Sequence, residues 1–339
     1  MADLPPEIFD SIIDCISDPP TLYALCLANK ALRSSAERQL YSRLTHATDK
    51  FLQCRFLSTI IQVPRLARYV HEYHVYSLTS VLEVPQIWDL IYEGLLAMTN
   101  LKILVFREYG TRQPSAKLLD MDRGVKFRLE KLVWNGQTNE NDLQKILEQQ
   151  RTSLRDLSLD LTPGTPLSSI LMPHLRKLSG ELRILESLLP RSRVAHLTWV
   201  PSPYDALSLT DELIPDSATR SRLQKMADEL RVVKSFVLKC PYYRPGLAAF
   251  EGLLDQMTFL SLTGLHSYEE LDLLTMFPLF KELVLTTNHV KDPAPILAED
   301  QKEVVLHAPN CILLISNTTG IDKIVSVLSR DGKEAKTNQ

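Results

Sequence analysis

Leu154-Arg155-Asp156-Leu157-Ser158-Leu159 carries apolar residues at its first, fourth and sixth places and polar ones between them. The fourth and sixth places lie two apart, which is the period of a strand with one face buried. Naming only the apolar places, the same six-place core recurs at Val70-Tyr73-Val75, Leu101-Leu104-Phe106, Leu129-Leu132-Trp134, Val194-Leu197-Trp199, Val233-Phe236-Leu238, Met257-Leu260-Leu262 and Phe280-Leu283-Leu285. A degenerate copy begins at Leu175-Leu178, and a last one lies within Cys311-Ile312-Leu313-Leu314-Ile315. Segments with helical patterning stand between the cores: Trp88 to Met98, Glu140 to Gln150, Ser217 to Leu230, Leu247 to Gln256 and Tyr268 to Phe277. Short strands alternating with helices imply a mixed α/β chain.

The cores start 19 to 39 residues apart, mostly in or near the repeat length of about 20–29 residues seen in leucine-rich repeats. Residues 66–329 therefore resemble an irregular leucine-rich-repeat solenoid, and the resemblance implies a parallel sheet with one strand per repeat. Phe280-x-x-Leu283-x-Leu285-x-x-Asn288-x-Val290 fits the fuller consensus, including the Asn that bonds the turn backbone. In the longest interval Pro201, Pro203 and Pro215 predict a large loop before the helix at Ser217. An ordinary α/β domain gives similar short apolar strands and stays open as the competing architecture. With 11 glycines in all, the chain fits poorly to a nucleotide-binding version of it.

On the repeat reading the second, third and fifth places face outward. Second places carry Lys102, Glu130, Arg155, Arg176, Ala195, Lys234, Thr258 and Lys281, so bases prevail; third places are mixed, and fifth places are small. Lys102, Arg155, Arg176, Lys234 and Lys281 are thus the candidate target-binding residues, suited to an acidic or phosphorylated segment, with Arg155 and Arg176 as guanidinium donors. The plainer reading is that Lys and Arg keep exposed strands soluble.

The first 48 residues read as a separate helical unit. Pro5 and Pro6 suit the start of a helix, Glu7 suits its first turn, and Asp18-Pro19-Pro20 stops it. Ile8, Phe9, Ile12, Ile13 and Ile16 form one broad apolar stripe. Leu22-Tyr23-Ala24-Leu25-Cys26-Leu27-Ala28 is apolar nearly all round, which in so small a unit implies a partner covering its second side. Leu32, Ala36 and Leu40 pattern a third helix. Without disulfide or metal, a unit this short is marginal alone.

Leu4-Pro5-Pro6-Glu7-Ile8, the isoleucine-rich helix, the Asp-Pro step and the two further helices resemble an F-box, in order. The resemblance implies docking to a Skp-family adaptor and, through it, to a cullin-based (SCF-type) ubiquitin ligase. It implies a contact set of Leu4, Pro5, Glu7, Ile8 and Ile12, then Leu22 and Leu25, then Leu32, Leu40 and Tyr41. Ala31-Leu32 and Leu40-Tyr41 stand where many members carry tryptophans. The chain is then expected to be a substrate receptor that leads its target toward ubiquitination and proteasomal degradation; a scaffold that recruits no cullin is the alternative. Residues 49–65 read as a linker helix packing this unit onto the first repeat, Ile321 to Leu328 as a capping helix, and 330–339 as a disordered tail.

Composition limits the remaining classes. The chain has 339 residues, 45% of them hydrophobic and 23% charged, with a formal net charge of −3 and a pI near 6.3. No global positive field favours nucleic acid. Cys15, Cys26, Cys54, Cys240 and Cys311 are odd in number and mostly set in apolar runs, as reduced thiols of the cytosol or nucleus would be. No apolar run approaches the roughly 20 residues of a membrane span, and no secretory signal is evident. Gly246 and Gly252 lack the Lys-Ser/Thr of a phosphate loop, and no CxxC pair or nucleophile elbow occurs. His71 and His74 would point to opposite faces of a strand. The expectation is a non-catalytic protein with no cofactor and no metal.

Overall fold

The computed structural model describes residues 6–45, 50–76, 87–107, 125–135, 140–160, 167–200, 217–239, 247–263, 276–287 and 312–317. The chain is mixed α/β and falls into two compact units, Met1–Thr162 and Pro163–Gln339.

The first unit opens with three helices, α1 (Pro6–Asp14), α2 (Pro19–Ala28) and α3 (Lys30–Tyr41). The Asp18 carboxylate accepts from the Thr21 amide at 2.9 Å, and Asn29 Oδ1 accepts from the Ala31 amide at 2.8 Å. Each cap satisfies a donor that its helix leaves unpaired, and Pro19 and Pro20 occupy positions where no amide is needed. Ile13, Leu22 and Ala36 form the small core, ringed by Ile16, Leu25, Cys26, Leu32 and Leu40. Ser35 donates its hydroxyl proton to Asp10, whose carboxylate also meets Arg38 at 3.0 Å, tying α1 to α3.

From α3 the chain runs into a two-residue strand, β1 (Arg43–Leu44), which pairs parallel with β2 (Glu72–Tyr76). The Ser42 carbonyl accepts from the His71 and Glu72 amides at 2.8 and 3.2 Å. The expected linker helix is α4 (Lys50–Gln62), with Leu57 and Ile60 fully buried. A short α5 (Pro64–Ala67) follows. Glu37 of α3 is buried and takes a two-pronged ion pair from Arg65 of α5, at 2.5 and 3.1 Å, plus Arg33 at 2.9 Å. Tyr41, Phe56 and Tyr73 stack in a column with centroids 6.0 and 6.5 Å apart, and Gln53 donates to the Tyr73 hydroxyl at 2.6 Å. The helices and the first full strand are thus one packed body.

Next come α6 (Ile87–Ala97), β3 (Ile103–Arg107), β4 (Lys131–Asn135), α7 (Glu140–Gln150) and β5 (Asp156–Asp160). Strands β1 to β5 lie side by side in chain order, each pair parallel. Register matches place to place: Leu104 opposes Leu132, which opposes Leu157, and Phe106 opposes Trp134, which opposes Leu159. Helix α6 lies tight on α4, where a Cβ built on Gly94 would fall 2.6 Å from Leu57 Cδ2. Gly94→Val is expected to cost about 1–3 kcal/mol by overpacking; a melting temperature equal to wild type would show that this contact has slack.

The second unit contains β6 (Lys177–Gly180), α8 (Leu182–Leu188), β7 (His196–Trp199), α9 (Ser217–Gln224), α10 (Ala227–Leu230), β8 (Ser235–Leu238), β9 (Phe259–Thr263), β10 (Glu282–Thr287) and β11 (Ile312–Asn317). Its strands β6 to β11 again follow chain order, each pair parallel.

Several expected elements differ in form. The helix read over Ser217 to Leu230 is broken at Met226, where φ is −111° and ψ 19°. Leu247 to Gln256 forms only a 3₁₀ turn, Leu247–Phe250, because Gly252 adopts φ 70° and ends any regular helix there. Helix α8 fills an interval too short to have stood out in the sequence. The loop at Pro201 to Pro215, Cys240, most of Tyr268 to Phe277, Asn288, Cys311, the Ile321 to Leu328 segment and the 330–339 tail lie outside the described residues.

Across the described cores the first, fourth and sixth places are buried, from Val70, Tyr73 and Val75 to Met257, Leu260 and Leu262. Among the described residues no helix is long and apolar enough to cross a membrane.

Candidate functional site

Two surfaces of the chain present side chains outward in a pattern. The first is on the helical module. With Ile13 turned into the core, α1 leaves Ile8 45% and Ile12 53% exposed, one turn apart. Cys15, a free thiol, continues the exposed stripe one turn on. Helix α2 buries Leu22 to 3% and half-buries Leu25, which leaves Tyr23 59% and Leu27 71% exposed, flanked by exposed Pro20, Ala24 and Ala28.

Glu7, Ile8 and Ile12 of the sequence-derived set therefore stand on the surface, while Leu22 serves the module's own core. Leu25, Leu32 and Leu40 pack against that core and are only partly accessible. Tyr41 is half-buried against Phe56, and burial pushes its hydroxyl up from its ordinary pKa. Leu4 and Pro5 lie outside the described residues. Tyr23 and Leu27 were not singled out from sequence. The signal was there, since α2 is apolar all round and a helix that packs on one side must leave the other outward.

Glu37 anchors this module from behind. The Arg65 guanidinium, bonded to it, is the main cause holding its carboxyl below the usual range. A folded pKa below the unfolded one means that the charged carboxylate adds stability above the unfolded value, and that this is lost as pH falls through the folded one. Glu37→Gln is expected to lower stability by about 1–3 kcal/mol near neutral pH, toward the lower figure because Arg65 and Arg33 remain half exposed. Thermal melts of the two proteins should converge as pH falls through the lowered folded value, and a constant gap would contradict the assignment.

The second surface is the outward side of the strands. The carbonyl of each second place accepts from the amides of the second and third places on the next strand, as Lys102 does from Glu130 and Lys131 at 2.8 and 3.0 Å. Second places are thereby threaded into a row one strand apart. In the first unit the row is His71, Lys102, Glu130 and Arg155; Lys102 meets Glu130 at 3.2 Å and, in the third places beside the row, Lys131 meets Asp156 at 3.5 Å, while Arg155 has no ion-pair partner among the described residues. In the second unit the row is Arg176, Ala195, Lys234, Thr258 and Lys281. All five candidate bases are exposed. Arg155 belongs to the first unit and Arg176 to the second.

The two histidines do not form a site. His71 Nδ1 lies 2.6 Å from the Tyr69 carbonyl, whereas half-buried His74 bonds Glu72 at 2.8 Å. Burial lowers the His74 pKa, against the pull of Glu72. Among the described residues no cluster of three His, Cys, Asp or Glu side chains could hold a metal ion. Cys26 and Cys54 are partly buried free thiols whose pKa burial raises, the opposite of an activated nucleophile.

No protein-family model matches the chain, and no curated protein matches its sequence.

Proposed function

We propose that this chain is a substrate receptor of an SCF-type ubiquitin ligase, in which an F-box-like module of three helices docks to a Skp-family adaptor and leucine-rich-repeat-like strands hold a target protein. The carrying observation is the outward apolar set on α1 and α2, Ile8, Ile12, Tyr23 and Leu27, on a module whose core is already closed by other residues. Large aliphatic and aromatic side chains spent on the outside of so small a unit favour a permanent or frequent protein partner. The order of three helices, the second opened by the Asp18 cap and its prolines, agrees with the family resemblance. The chain's own contribution to ubiquitin transfer is proximity: it holds the target near a transfer centre supplied by other subunits.

The test is affinity capture from a eukaryotic extract with the full chain and with Leu27→Asp, scored for the adaptor and a cullin. Recovery of both by the wild type, with both lost in the variant, is the expected result. Adaptor without cullin would favour the scaffold role, and neither would end the adaptor reading. Point variants suit this test better than removal of the first 48 residues, which would strip β1 from β2 and leave Arg65 without Glu37.

A further inference from the structure

The two units differ in how their outward charges are answered. Lys102 and Lys131 of the first unit are each paired with an acid on the next strand, which leaves Arg155 as its one second-place base with no ion-pair partner among the described residues. Arg176, Lys177, Lys234 and Lys281 of the second unit have no ion-pair partner among the described residues, and Glu282 is the acid nearest to them in the second and third places. The unanswered bases are also regularly placed. Backbone bonds run Arg176 to Ala195 to Lys234 to Thr258 to Lys281, each between adjacent strands, so the bases occupy every second strand. Strands lie about 4.8 Å apart, which sets the bases roughly 9.6 Å apart along a line across the sheet. Small or partly buried fifth places, Ser179, Thr198, Val237, Ser261 and Val284, run alongside and admit a chain backbone.

An acidic segment must match that interval with carboxylates on one side. A β-strand fails, since residues three apart point to opposite faces. A polyproline II segment succeeds, because it turns once in three residues with a rise of about 3.1 Å each, a repeat of roughly 9.3 Å. A nucleic-acid strand fits poorly: it carries a charge about every 3.4 Å, so most phosphates would face no base. We infer that the strand face of the second unit binds an acidic protein segment in polyproline II conformation, with carboxylates at every third residue meeting Arg176, Lys234 and Lys281. This deepens the target-binding half of the proposed function and is independent of the adaptor.

The probe is a fluorescein-labelled peptide of about five Glu-Pro-Pro repeats, compared by anisotropy with a peptide of equal composition whose glutamates form one block. The full chain is expected to bind the repeat peptide about tenfold more tightly than the block, with affinity falling as salt rises. The double reversal Lys234→Glu and Lys281→Glu should weaken binding about tenfold or more with an unchanged melting curve, and Arg176→Ser should weaken it less. Lys225→Glu, at an exposed base in the turn between α9 and α10, should leave it unchanged. Absent binding, equal affinity for the two peptides, equal loss in Lys225→Glu, or tighter binding of oligothymidine of equal charge would each overturn the inference. Adaptor capture by the same variants should stay at the wild-type level, which separates failure here from failure of the docking proposal.

Discussion

Ile8→Asp and Ile12→Asp, each in the full chain, are expected to abolish capture of the Skp-family adaptor while leaving the melting temperature within a degree or two of wild type. Both side chains are about half exposed, so an aspartate in either place keeps its hydration in the free protein. Neither belongs to the Ile13, Leu22 and Ala36 core. In the proposed complex the same positions are covered, and an unpaired carboxylate there costs several kcal/mol. At about 1.4 kcal/mol per tenfold, that removes two or more orders of magnitude of affinity, enough to empty a pulldown. Ile13→Asp is the contrasting case, since it places the charge in the core and should unfold the module outright. Retained adaptor in both surface variants would mean that this stripe is not the docking face.

Trp134→Ala is expected to remove about 3–5 kcal/mol of stability, the usual cost of emptying a buried large aromatic site. Trp134 is fully buried on β4 and stacks on Phe106 of β3 with centroids 4.4 Å apart and planes 15° from parallel. Phe106 touches Trp88 of α6 in turn, at 6.1 Å, so the cavity would loosen a chain of contacts from helix to strand. The indole N–H finds no acceptor among the described residues, a small penalty already present in the wild type that brings the cost toward the lower figure. Trp134→Phe should therefore be mild, below about 1.5 kcal/mol, because it keeps the stack and deletes the unpartnered donor. Thermal or urea unfolding of the two variants checks both figures, and similar losses in both would show that the stack is not the source.

The six-place core was readable because it is a packing rule: each of its apolar places is a side chain that a parallel strand must bury, and burial follows it from Val70 to Leu262 wherever the structure describes it. The break between the first two helices was readable from Asp18 and the prolines, though not as the expected stop: α1 ends at Asp14, and Asp18 with Pro19 and Pro20 opens α2. Strand β1 escaped notice because two residues carry no periodicity, and it exists only through the amides of His71 and Glu72. The false helix at Leu247 followed apolar spacing past Gly252, whose left-handed backbone overrules it. Among site residues, Ile8 and Ile12 were legible, yet Leu22 and Tyr23 were not distinguishable. On a helix apolar all round, only the neighbour's position decides which side is core. The pairing of Lys102, and the lack of an ion-pair partner for Lys234 among the described residues, were equally hidden, since they depend on which strand lies next door.

The seam between α3 and β2 has a bearing on how such a chain can be recombined. Glu37, Tyr41 and Ser42 each bind a partner that lies beyond residue 50 in the sequence: Arg65, Phe56 and the amides opening β2. The three helices are therefore not a portable cassette. A graft cut at residue 48 would carry Glu37 stripped of its Arg65 clamp, with only Arg33 left to it, and an open strand edge into its new host, whereas one that extends through Tyr76 would travel with its lock complete.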